Sequence, residues 1–267
     1  MTRFTSLLFD IIAASDSEMP SFTGRQTHAL FLDIIGRVSP ALSDKLHADT
    51  PVRPFTVSPL LGVEPGARGQ IQIHEGQHLF IRFTFLDETI YAVFTDASAK
   101  LLKKKLILAN APFVLNGIQA SPADSPLCLS QNAADLLRKS TPARKISIQF
   151  FSPTAFRSQG KRNVLFPLPP LVFGSWYARW QHYLDTDTVD LLPDTFDKIR
   201  VSRYALLTRV AQFGTYMETG FEGDCVFELP SAITEEEAKY LNALADFSIF
   251  CGTGAKTTMG MGQTRRI

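Results

Sequence analysis

Residues 3–13 alternate apolar and polar side chains and are rich in β-formers, the pattern of a half-buried strand. Residues 15–24 are polar, contain Pro20 and Gly24, and read as a loop. Residues 25–38 place Leu30, Phe31, Ile34, Ile35 and Val38 at helical spacing. Ser39-Pro40 then combines an N-cap residue with proline at the first helical position, predicting a second short helix to about His47 that Pro51 and Pro54 end. Residues 55–61 and 71–73 are strand-like, and 78–85 and 89–94 flank Asp87-Glu88 as a predicted hairpin. Residues 98–108 predict a surface helix whose solvated face is Lys103-Lys104-Lys105, and 113–120 another strand.

This order, β, α, hairpin, α, β, suits a split βαβ or ferredoxin-like fold. A short helical or linking segment at 132–140 leads to Thr141-Pro142, a plausible boundary. The order then repeats: a strand at 145–151, a helix at 170–183 with Trp176 and Trp180 one turn apart, and strands at 204–212 and 220–229. A helix follows from Ile233, with Thr234 and Glu237 at capping-box spacing, and residues 263–267 make a closing strand. The predicted architecture is α+β: two tandem ferredoxin-like (RRM-like, βαββαβ) domains, residues 1–140 and 141–267.

Composition adds a core and a charge asymmetry. The chain is 45% hydrophobic with 21 phenylalanines, which excludes disorder. Its net charge of +1 averages over a local excess, because residues 136–184 hold eight basic residues and no acid. Among them are Arg157, Lys161, Arg162 and Arg179, while acids gather at 185–197 and 235–237. Such one-sided segments can present a phosphate-binding face on a neutral protein. Three unpaired-looking cysteines suit reduced, buried thiols in the cytoplasm. Asp10 interrupts the apolar N-terminus, so a strand is read there rather than a signal peptide, and no apolar run predicts a membrane helix.

The segment Gly252-Thr-Gly254-Ala-Lys256-Thr-Thr-Met-Gly260-Met-Gly262 places four glycines in eleven residues between a helix and a strand. Walker and Rossmann spacings are absent. Two readings stand: backbone amides and Lys256 gripping phosphates, or a tight structural turn.

This tail resembles the glycine-rich loop of the repeat-associated RNA-binding superfamily of CRISPR systems, and within it the endoribonuclease family that processes CRISPR precursor RNA. Arg53-Pro-Phe-Thr-Val-Ser-Pro-Leu60 is similar to the family's strand after the first helical region, Phe151-Ser-Pro-Thr-Ala-Phe-Arg157 to the start of its second domain, and Phe221-Glu-Gly-Asp-Cys-Val226 to its late hairpin. The resemblance implies two ferredoxin-like domains and one cut per repeat. It implies no metal or other cofactor, and 2′,3′-cyclic phosphate and 5′-hydroxyl ends. The implied partner is CRISPR repeat RNA, with other effector-complex subunits a further option. No membrane partner is implied, and a monomer and a homodimer both remain open.

Metal-free cleavage needs a base for the 2′-hydroxyl, an acid for the leaving 5′-oxygen and a cation for the crowded anion. His47 matches the family's histidine position, six residues before Arg53, and is the first candidate for acid/base work, with Arg53 clamping the phosphate. His28, beside Arg25 at the opening of the first helix, is the second, and the two can act together. The family's tyrosine on that helix is replaced by Phe31 and Leu32. Arg25, Arg157, Lys161 and Arg162 are candidate RNA-backbone contacts, as are Gly252, Gly254, Lys256, Gly260 and Gly262 of the loop. The cut is expected across the molecule from that loop. Trp176 and Trp180 read as core, and His74, His78 and His182 carry no catalytic expectation. Alternatives are a non-catalytic RNA-binding subunit, or a module for a small anionic ligand or protein partner.

Overall fold

The strand Arg3–Ala13 runs through the middle of the first sheet, its alternation satisfied by packing on both faces. The computed structural model describes residues 3–48, 53–63, 69–157, 163–183 and 193–267. The first half comprises β1 (Arg3–Ala13), β2 (Ser17–Pro20), α1 (Gly24–Gly36), α2 (Pro40–His47), β3 (Phe55–Val57), β4 (Gln70–Ile73), β5 (His78–Phe85), α3 (Glu88–Ala99), β6 (Lys105–Leu108), β7 (Ala111–Gln119), β8 (Ser130–Asn132) and α4 (Ala133–Lys139). The second comprises β9 (Lys145–Thr154), β10 (Phe156–Arg157), β11 (Asn163–Val164), α5 (Pro169–Tyr183), α6 (Pro193–Lys198), β12 (Arg200–Gln212), β13 (Met217–Glu228), α7 (Glu235–Cys251) and β14 (Thr264–Arg266).

The first sheet is ordered β3-β5-β1-β7-β6, with β8 also pairing β1, and the second β12-β13-β9-β14. Every pair is antiparallel. Each sheet has the first and third strands of its βαββαβ unit at the centre, so the chain is two tandem ferredoxin-like folds. Under α1 and α3 lies a phenylalanine cluster in which Phe31 stacks on Phe55 at 4.1 Å and Phe9 meets Phe83 edge-on at 4.9 Å. Trp176, Trp180, Phe227 and Phe247 centre the second core, which also takes in Phe4, Leu86 and Leu136 from the first half.

Several predicted elements change. Residues 89–94 belong to α3, not to a hairpin: Asp87 caps the helix, accepting from the Thr89 and Ile90 amides at 2.8 and 3.1 Å. Ile90, Phe94 and Ala97 then fall on one buried face. The lysine-rich helix is absent because α3 ends at Ala99, Lys103 turns the chain at φ 60°, and β6 alternates exposed and buried residues against β7. The expected loop at 15–24 contains β2, which pairs β4 and buries Met19. Ser39 precedes α2 without a capping hydrogen bond, whereas the Thr234–Glu237 capping box on α7 is complete.

Arg82 joins the two halves. It stands in β5 among apolar residues and is fully buried. Its guanidinium donates to Ile249 O at 2.7 Å, Gln263 Oε1 at 3.1 Å and Leu127 O at 3.2 Å. Thr84, two residues along, donates to Phe250 O at 2.6 Å. The carbonyls of Ile249 and Phe250 end α7 and have no partners within that helix, so the first half satisfies them and sets a cation at the negative helix end. Burial pushes the Arg82 pKa down to about 9, which leaves the cation in place at neutral pH. Arg82→Ala leaves Ile249 O and Gln263 Oε1 unpaired in a buried seam, while Leu127 O keeps its bond from Ser6 Oγ, and is expected to cost about 3 kcal/mol. A urea midpoint equal to that of the parent protein contradicts this.

Candidate active site

The start of α1 and the glycine-rich tail are in contact. A Cβ on Gly24 would lie 2.0 Å from Met259 O, and one on Gly260 2.6 Å from Gly24 Cα. Gly260 also has φ 87°, a conformation that side chains resist. The approach brings Thr258 O to 2.7 Å from His28 Nδ1. A carbonyl oxygen only accepts, so Nδ1 carries the proton and Nε2 of the neutral ring keeps its lone pair. His28 further stacks on Phe55, with 6.0 Å between ring centres.

Burial lowers the His28 pKa below 6.5; the Thr258 hydrogen bond opposes this, and the positive fields of Arg53 and His47 add to it. His28 thus lies within electrostatic range of Arg53 and His47. His47 is exposed at the end of α2, and Arg53 donates to Leu46 O on that helix's last turn. Arg25, exposed on the first turn of α1, donates to Phe213 O at 3.3 Å, tying α1 to the end of β12.

The tail is a seam rather than an open cradle. Gly252, Gly260 and Gly262 are buried, and a Cβ on Gly254 or Gly262 would meet Ala155 O at 2.4 Å or Thr253 O at 2.0 Å. Lys256 has φ 56° and a side chain only 15% exposed. Its ammonium reaches Tyr216 Oη at 3.0 Å and Glu218 Oε1 at 3.7 Å, and lies over the Phe213 and Tyr216 rings. The tail, expected to lie across the molecule from the cutting site, is instead brought against His28 by backbone packing of Gly24 against Gly260.

Arg157 is exposed at the end of β10, while Lys161 and Arg162 lie outside the described residues. Trp176 and Trp180 are buried, and Trp176 Nε1 donates to Thr253 Oγ1 at 2.8 Å. Arg179 donates to Gly254 O at 2.8 Å, so this member of the basic stretch holds the tail. Sequence reasoning missed Arg82; its only signal was a lone charge in the apolar run of β5. Among the described residues, no group of three or more His, Cys, Asp or Glu side chains is placed to hold a metal, and no helix is long and apolar enough to cross a membrane.

The profile described as CRISPR Cas6 N-terminal domain matches residues 4–134, and that of CRISPR-associated endoribonuclease Cas6 matches residues 148–264. The chain belongs to the Cas6 family of CRISPR-associated endoribonucleases. A Cas6 from Mycobacterium tuberculosis is 32% identical over 124 residues, 46% of this chain and 38% of the relative. One from Streptococcus thermophilus is 31% identical over 122 residues, 43% of this chain and 48% of the relative. The matched stretch is thus less than half the length of either. A Thermus thermophilus Cas6 product complex superposes with TM-score 0.84 at 26% identity, covering 100% of both chains. A Pyrococcus furiosus Cas6-related protein shares the fold, with TM-score 0.64 at 14% identity and coverage of 99% and 98%.

The His28 environment makes a prediction. Its imidazole, followed by NMR in the RNA-free protein, is expected to titrate below 6.5. The unfolded chain then binds the proton more readily, so this contribution to stability is intact above 6.5 and declines as pH falls toward the folded value. A His28 midpoint at or above 6.5 contradicts the burial argument.

Proposed function

We propose that the protein cuts CRISPR repeat RNA in the precursor transcript, in the cytoplasm, by attack of a ribose 2′-hydroxyl on the adjacent phosphorus. The observation that carries this reading is the Thr258–His28 contact, at a ring that also lies in the fields of His47 and Arg53. His28 Nε2 takes the 2′-hydroxyl proton, and the 2′-oxygen bonds to phosphorus. The 5′-oxygen leaves with a proton from His47, giving a 2′,3′-cyclic phosphate and a 5′-hydroxyl. Arg53 balances the charge gathered on the phosphoryl oxygens. Lowering the His28 pKa keeps the base unprotonated at neutral pH.

Arg25 and Arg157 serve as RNA-backbone contacts, joined by Lys161 and Arg162 of the basic stretch. Gly252, Gly254, Gly260, Gly262 and Lys256 support binding by shaping the seam. The likeness to a Cas6 solved as a product complex supports a nucleic-acid partner for this surface.

The test uses the repeat RNA of the source genome under single-turnover conditions. Cleavage is expected to persist in EDTA and to vanish when the nucleotide before the cut is 2′-deoxy. His28→Ala and His47→Ala are each expected to lower the rate by about 10²–10⁴-fold, with RNA affinity retained. Cutting of the deoxy substrate contradicts the mechanism, and binding without any cutting by the parent protein favours a non-catalytic guide-RNA subunit.

A further inference from the structure

A cavity of about 640 Å³ opens beside the proposed cutting site, between α2 and the start of α3 on one side and the end of α5 on the other. Leu46, Pro54 and Ile90 give it an apolar lining, and His182 and Tyr183 bring aromatic rings from the other half of the molecule. Lys45 and Arg53 supply positive charge, and Asp87 is the one carboxylate among the described residues of the lining. Arg53 belongs to both places: it lines this cavity, and its charge is felt at His28. A chain whose phosphate is held by Arg53 therefore has this cavity within a nucleotide's reach.

We propose that the cavity receives one unstacked nucleobase of the repeat RNA, that of a nucleotide flanking the scissile phosphate, and that Asp87 selects a base with an exocyclic amino group. This rests on the cutting reaction proposed above. Lined by aromatic and apolar side chains with a cation near its edge, it has the composition of a base-stacking site on single-stranded nucleic acid. Burial pushes the Tyr183 pKa up, so its phenol remains neutral and does not repel the RNA. Asp87 Oδ1 already accepts from the Thr89 and Ile90 amides, which fixes the carboxylate. An ionised carboxylate only accepts hydrogen bonds, so adenine, cytosine and guanine offer it an amino donor that uracil lacks at its carbonyl positions.

The test is a binding scan with uncut, 2′-deoxy-blocked repeat RNA carrying a single abasic nucleotide at each position in turn. In the parent protein, an abasic nucleotide flanking the cut is expected to weaken binding about tenfold. In Tyr183→Leu the same substitution is expected to change affinity less than twofold, because the stacking partner is already gone. Uridine at that position is expected to weaken the parent protein severalfold but not Asp87→Asn, a variant that keeps a helix-capping acceptor and so keeps α3. Abasic penalties in Tyr183→Leu equal to those of the parent at every position overturn the proposal, as does coupling only at positions remote from the cut. Equal ratios of uridine to parent-base affinity in Asp87→Asn and the parent overturn the selection by Asp87. The readout needs no cleavage, so a protein that binds with this coupling yet never cuts defeats the reaction and leaves the pocket standing.

Discussion

The carbonyls that end α7 must be satisfied inside a buried seam, and much of the molecule follows from how that is done. Arg82 and Thr84 reach them from the first sheet, and Gln263, which accepts from Arg82, donates in turn to Val57 O at 3.2 Å. A buried cation in place of apolar packing is costly unless hydrogen bonds replace its lost hydration, and here three neutral acceptors converge on the guanidinium, one for each nitrogen. The hydrogen-bond geometry fixes how the two ferredoxin-like sheets are joined, which apolar contact alone specifies less sharply.

With the end of α7 and the start of β14 held, the intervening tail has little room. Its glycines answer that crowding. Gly260 lies where any side chain would strike Gly24, and Lys256 is tied to the β12–β13 hairpin by Tyr216 and Glu218. The result is a carbonyl, Thr258 O, delivered to a histidine 230 residues earlier in the chain. The tail's contribution to the proposed chemistry is thus to orient a side chain, while the proposed RNA-backbone contacts Arg25 and Arg157 are exposed.

Much of this was legible in the sequence. The repeated βαββαβ order and the capping box on α7 could be read from residue type and spacing, whereas the candidates His28, His47 and Arg53 came from the family resemblance. The hairpin at 89–94 was misread because a β-rich stretch, Thr89-Ile-Tyr-Ala-Val-Phe94, satisfies both strand and helix periods, and Asp87 decides between them by capping. The lysine run looked helical because its leucines suit either element; α3 instead ends at Ala99, and Lys103 at positive φ turns the chain toward β6. The meeting of tail and histidine was hidden for a different reason. It depends on two glycines from distant parts of the chain touching, which periodicity does not encode.

The central claim is that the buried seam fixes His28 as a base by holding its Nδ1 proton on Thr258 O. Long-range ¹H–¹⁵N NMR of the His28 ring in the neutral, RNA-free protein measures this directly. A protonated Nδ1 with an unprotonated Nε2 is the predicted result. A proton on Nε2 contradicts the account.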